Sequence, residues 1–170
     1  MEPFEMDDMC TDDNLKAFMQ ETYPVNGVVT SDVLTLCPIV WDDEEGWIGH
    51  IDQYETQTLD EIEGETMDGI VGSTGEVSLL HELTHTKSFL GTSVLEDREQ
   101  GAGTDAYKWD GCFELAGDVT TRDRSLTNAD TFAYFCAGIY LSQCNWKDGT
   151  CKDPATADDD SDSSSDSDSD

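Results

Sequence analysis

The chain has 170 residues, with 39 Asp+Glu against 8 Lys+Arg and a formal net charge of −31. That balance argues against nucleic acid and anionic membrane surfaces as partners, because phosphate contacts need a basic footprint. The hydrophobic fraction of 36% supplies a core for one domain, while no stretch reaches the ~20 apolar residues of a bilayer span.

In chain order, "MEPFEMDDMC" puts acids where a signal peptide needs a basic and then an apolar region, so secretion calls for a leader upstream of this segment. "DDNLKAFMQETY" reads as a short amphipathic helix carrying Leu15, Phe18 and Met19. An Asn-Gly turn signal precedes a β-rich run from about Val33 to Trp41, where Pro38 marks an edge strand. Residues 42–72 are acidic and Gly-studded and read as strands and loops. Ser73-Thr74-Gly75-Glu76 has the S-x-x-E form of a capping box and predicts a helix over 74–90, with Gly91 as its stop and Lys87 in its last turn. Residues 91–106 read as a Gly-rich loop. "NADTFAYFCAGIYLSQC" then sets Phe132, Phe135, Cys136, Ile139 and Tyr140 at helical spacing. The domain is expected to occupy 1–154, and 155–170 forms an acidic Ser/Asp tail too poor in apolar residues to fold.

Six cysteines, none in a C-x-x-C pair, predict three disulfides formed in an oxidising compartment, with the connectivity open. Secretion is the localisation this implies.

Inside the predicted helix stands His81-Glu82-Leu83-Thr84-His85, two of the chain's three histidines four residues apart. At about 100° per residue the two imidazoles share one face and Glu82 flanks them, with Leu79, Leu80 and Leu83 opposite as the expected core face. Neighbouring imidazoles at i and i+4 can bind one zinc ion at ~2.1 Å, and Glu82 is placed to act as general base on water that zinc acidifies. His50, in "GWIGHIDQY", has no such context and reads as an ordinary loop or strand residue.

A catalytic zinc site takes a third protein ligand and leaves one position open. No histidine follows His85, so that ligand is a carboxylate. The metzincin continuation fails, with Ser88 and Gly91 at its Gly and His positions. Glu96, Glu99 and Glu114 are available, although "LEDREQG" around the first two reads as an exposed charged turn.

With "GTDAYKWDG" at 103–111, "LTLCP" at 34–38 and "NADTFAYF" at 128–135, the chain resembles the deuterolysin family, the aspzincins, zinc endopeptidases that include the fungal lysine-specific metalloendopeptidases. The resemblance covers roughly residues 30–145, with the motifs in the family's order. It implies a zincin-like α+β fold, mostly helical with a small twisted sheet and an HExxH active-site helix. It also implies one Zn2+ on His81, His85 and Asp105, with Asp110 as the alternative third ligand, and Tyr107 as hydrogen-bond donor to the oxyanion. Asp130 would line a pocket for a lysine ammonium, although Ala133 stands where lysine-specific members carry Glu. The expected function is zinc-dependent hydrolysis of peptide bonds, favouring Lys beside the cleaved bond, in a monomer acting on peptide and protein substrates. An exposed strand edge near 33–41 is expected to hold the substrate backbone. Two other readings stand beside it: a non-catalytic zincin-like secreted binding protein, and an intracellular acidic scaffold with free thiols.

Overall fold

Residues 10, 15–21, 32–42, 46, 49–101 and 103–156 are described in the computed structural model. Strands Ala17–Glu21 (β1) and Asp32–Leu36 (β2) pair antiparallel, with Ala17 opposite Leu36 and Glu21 opposite Asp32. The helix expected around Phe18 and Met19 is therefore a strand. Its short apolar run fits either periodicity, and pairing with β2 decides the matter by burying Ala17 and Phe18. The Cys37 N–H donates to the Lys16 carbonyl at 2.9 Å, and a disulfide joins Cys10 to Cys37. The strand expected to run on to Trp41 stops at Leu36. Pro38, with its fixed φ and no N–H, instead opens a 3-10 helix over Pro38–Trp41.

Where 42–72 was expected to hold strands and loops, three helices form: Asp52–Glu55 (α1), Leu59–Ile62 (α2) and Met67–Ser73 (α3). The signals are local. Thr58 and Glu61 make a reciprocal capping box on α2, and the Thr66 hydroxyl accepts from the Gly69 N–H at the start of α3.

The predicted helix over 74–90 is two helices, Gly75–Thr84 (α4) and Lys87–Leu90 (α5). The Thr84 and Thr86 hydroxyls donate to the carbonyls of His81 and Leu83, and the Thr86 hydroxyl accepts from the Phe89 N–H to start α5. Such local bonds compete with a continuous helix ladder. Gly91, at φ 64, closes α5 as expected. The expected capping box is absent. Ser73 belongs to α3, Thr74 caps α4 without a side-chain bond, and Glu76 accepts from His50 Nδ1 at 2.8 Å and from the Ile51 N–H.

Beyond α5, Glu99–Gly101 (β3) and Thr104–Asp105 (β4) form a small antiparallel hairpin within the expected loop. Helices Lys108–Gly117 (α6), Arg122–Ser125 (α7) and Ala129–Tyr140 (α8) follow. Ile70 and Val71 of α3, Val77 of α4, and Ala133, Tyr134 and Ala137 of α8 share a core with Leu141 and Trp146. On α8 the small residues face this core, while Phe135 and Ile139 from the expected periodic stripe are exposed. The Trp146 indole donates to the Leu141 carbonyl, and a disulfide joins Cys144 to Cys151. The third expected disulfide is absent. Cys112 is a buried thiol against the Ala106 carbonyl, pushed up to about 12 by burial, and Cys136 is half-buried on α8. Helices with two small antiparallel sheets give the expected α+β class. No helix among the described residues is long and apolar enough to cross a membrane. The expected tail falls outside the described residues from position 157 on, and a short 3-10 helix covers Pro154–Thr156.

Candidate metal centre

α4 turns its histidine side inward. Val77, His81 and Thr84 are buried, whereas Leu83, expected on the core face, is 38% exposed and Leu79 and Leu80 are only half-buried. The helix docks through the face that carries the chemistry, because α8 supplies a polar partner there. His81 Nδ1 lies 2.6 Å from Asp130 Oδ1, and His85 Nδ1 lies 2.9 Å from the Leu95 carbonyl. A carbonyl only accepts, so His85 Nδ1 carries the proton, and the Asp130 carboxylate fixes His81 the same way. In the neutral rings both Nε2 lone pairs then point into one space.

The third group in that space is Asp97. The two Nε2 atoms are 3.2 Å apart, and Asp97 Oδ1 lies 3.2 Å from that of His81 and 3.5 Å from that of His85. Three ligands bonded at ~2.0–2.1 Å in tetrahedral directions stand roughly 3.3 Å from one another, so this triangle matches one face of a zinc tetrahedron. Among the described residues, His81, His85 and Asp97 are the group able to hold a metal ion.

Asp97 is aimed by its neighbours. The Leu95 N–H donates to the Thr84 carbonyl at the end of α4, and Glu96 exchanges backbone bonds with Thr127 and Ala129 at the start of α8. The Arg98 N–H donates to Asn128 Oδ1. These bonds fix the 95–98 backbone, from which Asp97 Oδ1 reaches both histidines. Asn128, 1% exposed, also donates to the Ala106 carbonyl, so one buried amide holds both the 95–98 segment and the turn before α6.

Asp105, the expected ligand, is not in the cluster. It is exposed on β4, paired with Glu99, and the next residue, Ala106, takes the inward position. Asp110 is exposed in the first turn of α6 and does not join either. Glu96 pairs with Arg98 at 2.7 Å, and Glu99 and Glu114 are likewise exposed and outside the group. His50 is exposed and bonded to Glu76, in keeping with its reading as an ordinary residue.

Tyr107, which the family resemblance makes a hydrogen-bond donor, lies beside the cluster. Its ring lies 6.1 Å from that of His81, and its hydroxyl hydrogen-bonds Asp97. Burial and the Asp97 charge hold that phenol well above its usual range, so it stays a donor. Glu82 is half-buried beside the histidines and accepts from the Met19 N–H of β1. Burial raises its carboxyl against the opposing pull of His81 and His85. For His81, burial disfavours the charge, but the Asp130 and Asp97 carboxylates outweigh it and raise the imidazole to about 10. Asp97 is itself partly open to solvent, and its carboxyl sits far below the usual range because the hydrogen bonds and charges of both histidines outweigh its partial desolvation.

Asp130 has both oxygens engaged, Oδ1 by His81 and Oδ2 by the Lys108 N–H at 2.8 Å. Lys108 adopts φ 62 to deliver that bond, a left-handed conformation costing about 1–3 kcal/mol outside glycine. Asp130→Asn is expected to lower metal affinity by about 10–100-fold, because the His81 tautomer loses its anchor. Competition against a chromophoric chelator measures this, and unchanged affinity would show that the contact does not orient the ligand.

The cleft over the cluster is lined by β1, not by the 33–41 edge: Ala17, Phe18 and Met19 border His81, Glu82 and His85, with Asp32 reaching in from β2. The Lys16 carbonyl faces β2, so alternate residues Ala17 and Met19 turn their backbone groups away from β2, and the Met19 N–H meets Glu82. Compared with protein-family models, curated proteins and solved structures, the chain matches none.

Proposed function

We propose that this protein is a secreted zinc-dependent endopeptidase of zincin type, as the deuterolysin resemblance implies, with Asp97, in place of the Asp105 that the resemblance gives, joining His81 and His85 as its ligands. The observation that carries the reading is the triangle of two Nε2 atoms and a carboxylate oxygen, with Glu82 and Tyr107 at its margin. When bound, zinc supplies Lewis acidity, polarising the scissile carbonyl and acidifying water. Glu82 takes the proton of the attacking water, its raised pKa helping it to hold that proton and pass it to the leaving amine. Tyr107, its single O–H turning from Asp97, would donate to the oxyanion that develops on the carbonyl. The substrate backbone lies extended along β1, whose outward backbone groups border the cleft. The disulfides Cys10–Cys37 and Cys144–Cys151 support an oxidising destination.

The test is cleavage of a denatured protein with and without a chelator. Cutting that chelation abolishes and zinc restores supports the reading. Zinc-loaded protein that cuts nothing would contradict it and favour a binding protein.

Metal binding has a defined pH dependence. The folded value of His81 lies above its ordinary 6.5, so the charged ring stabilises the metal-free fold fully below about 6.5, and that contribution is lost as pH rises through about 10. Zinc must displace that proton. Affinity is therefore expected to rise with pH across this window, by up to about tenfold per unit per proton released. Calorimetry in buffers of different ionisation enthalpy counts the protons, and a flat profile would refute the protonated metal-free state.

A further inference from the structure

A second cleft, about 540 Å³ in volume, adjoins the metal cluster and shares His81, Glu82 and Tyr107 with it. Its buried walls are apolar: Val71, Val77 and Tyr134 are each less than 9% exposed. Lys16 and Lys108 also line it, two of the chain's eight basic residues.

Both carboxylates in this wall are engaged. Asp130 is held by His81 and the Lys108 N–H, and Glu82 by the Met19 N–H at the cluster. The Tyr134 hydroxyl donates to Asp68. The two lysines oppose an ammonium entering here, and the carboxylates that would draw it already accept from His81, the Lys108 N–H and the Met19 N–H, whereas a carboxylate meets two ammonium groups and the Ser78 hydroxyl. Among the described residues, Lys16 Nζ bonds the exposed Gly72 carbonyl, at 3.3 Å. Lys108 is an exposed side chain fixed at its root by a left-handed backbone that glycine would adopt without strain.

On the peptidase reading above, we infer that this cleft is a specificity pocket for an acidic side chain, Glu or Asp, beside the cleaved bond. The net charge of −31 opposes an anionic substrate at long range. Physiological salt screens that field beyond ~8 Å, leaving the contact charges to decide selectivity, Lys16 and Lys108 against the already bonded Asp130 and Glu82.

The test separates binding from turnover. Zinc-loaded Glu82→Gln protein is titrated with blocked peptides that differ only in Glu, Gln, Leu or Lys on either side of one bond, and wild-type protein is assayed for cleavage of the same set. The Glu peptide is expected to bind roughly five- to tenfold tighter than its Gln isostere, with Lys weakest. The Lys16→Gln/Lys108→Gly double variant should erase the Glu-over-Gln difference; Lys108→Gly also relieves the backbone strain, and metal content serves as the folding control. Lys binding as well as Glu, no peptide binding at all, or a Glu preference surviving in the double variant would each overturn the pocket. Glu-selective binding without wild-type cleavage would instead sink the peptidase reading alone.

Discussion

Glu82→Gln is expected to leave zinc bound and reduce peptide hydrolysis by about 100- to 10,000-fold, the range for loss of a positioned general base. The side chain is not one of the three ligand donors, so metal content should not change. The amide keeps the size of the carboxylate but cannot take a proton. The substitution also removes a half-buried acid whose burial raises its pKa, so the variant protein should fold normally. A rate within a few fold of wild type would remove Glu82 from its assigned role, whereas loss of zinc along with activity would mean that it coordinates the ion.

The second large effect separates two aspartates. Asp97→Ala deletes one corner of the ligand triangle and is expected to lower zinc affinity by at least ~100-fold, beyond the loss typical of an outer contact. It also leaves the phenol of Tyr107 without its partner. Asp105→Ala changes an exposed residue on β4 and is expected to leave zinc affinity within about twofold of wild type, since surface substitutions of this kind act weakly. Equilibrium dialysis against buffered zinc reads both variants. The opposite ranking would restore Asp105 as ligand and show that the 95–98 segment rearranges when metal binds.

Much of the centre was legible in the sequence. The spacing of His81, Glu82 and His85 needs only a helical turn to bring them together, and Gly91 marked the end of that helical region. Tyr107 was singled out through the family resemblance, and its ring lies 6.1 Å from that of His81. Asp97 was not, because its position depends on non-local bonds: Leu95 to Thr84, Glu96 to Thr127 and Ala129, and Arg98 to Asn128. A charge run read in isolation looks solvated, and Glu96 and Arg98 are indeed partly exposed around it. The available signal was Asn128, whose amide ties the segment in place, so the "NAD" run belongs to the metal centre through both Asn128 and Asp130. The pairing of β1 was equally hidden, since Phe18 and Met19 suit either a helix face or a strand until β2 is beside them. The leucines of α4 misled for a related reason. Helical spacing gives a face, but what α8 presents opposite it decides which face is buried.

The central claim is that His81, His85 and Asp97 together hold one metal ion. Elemental analysis of purified protein, after exchange into chelator-free buffer containing zinc, tests it most directly. One zinc per wild-type chain, with none retained by Asp97→Ala, is the result expected. Wild-type protein without stoichiometric metal would contradict the claim and leave the two histidines as neighbours on a helix, held by Asp130, Asp97 and the Leu95 carbonyl.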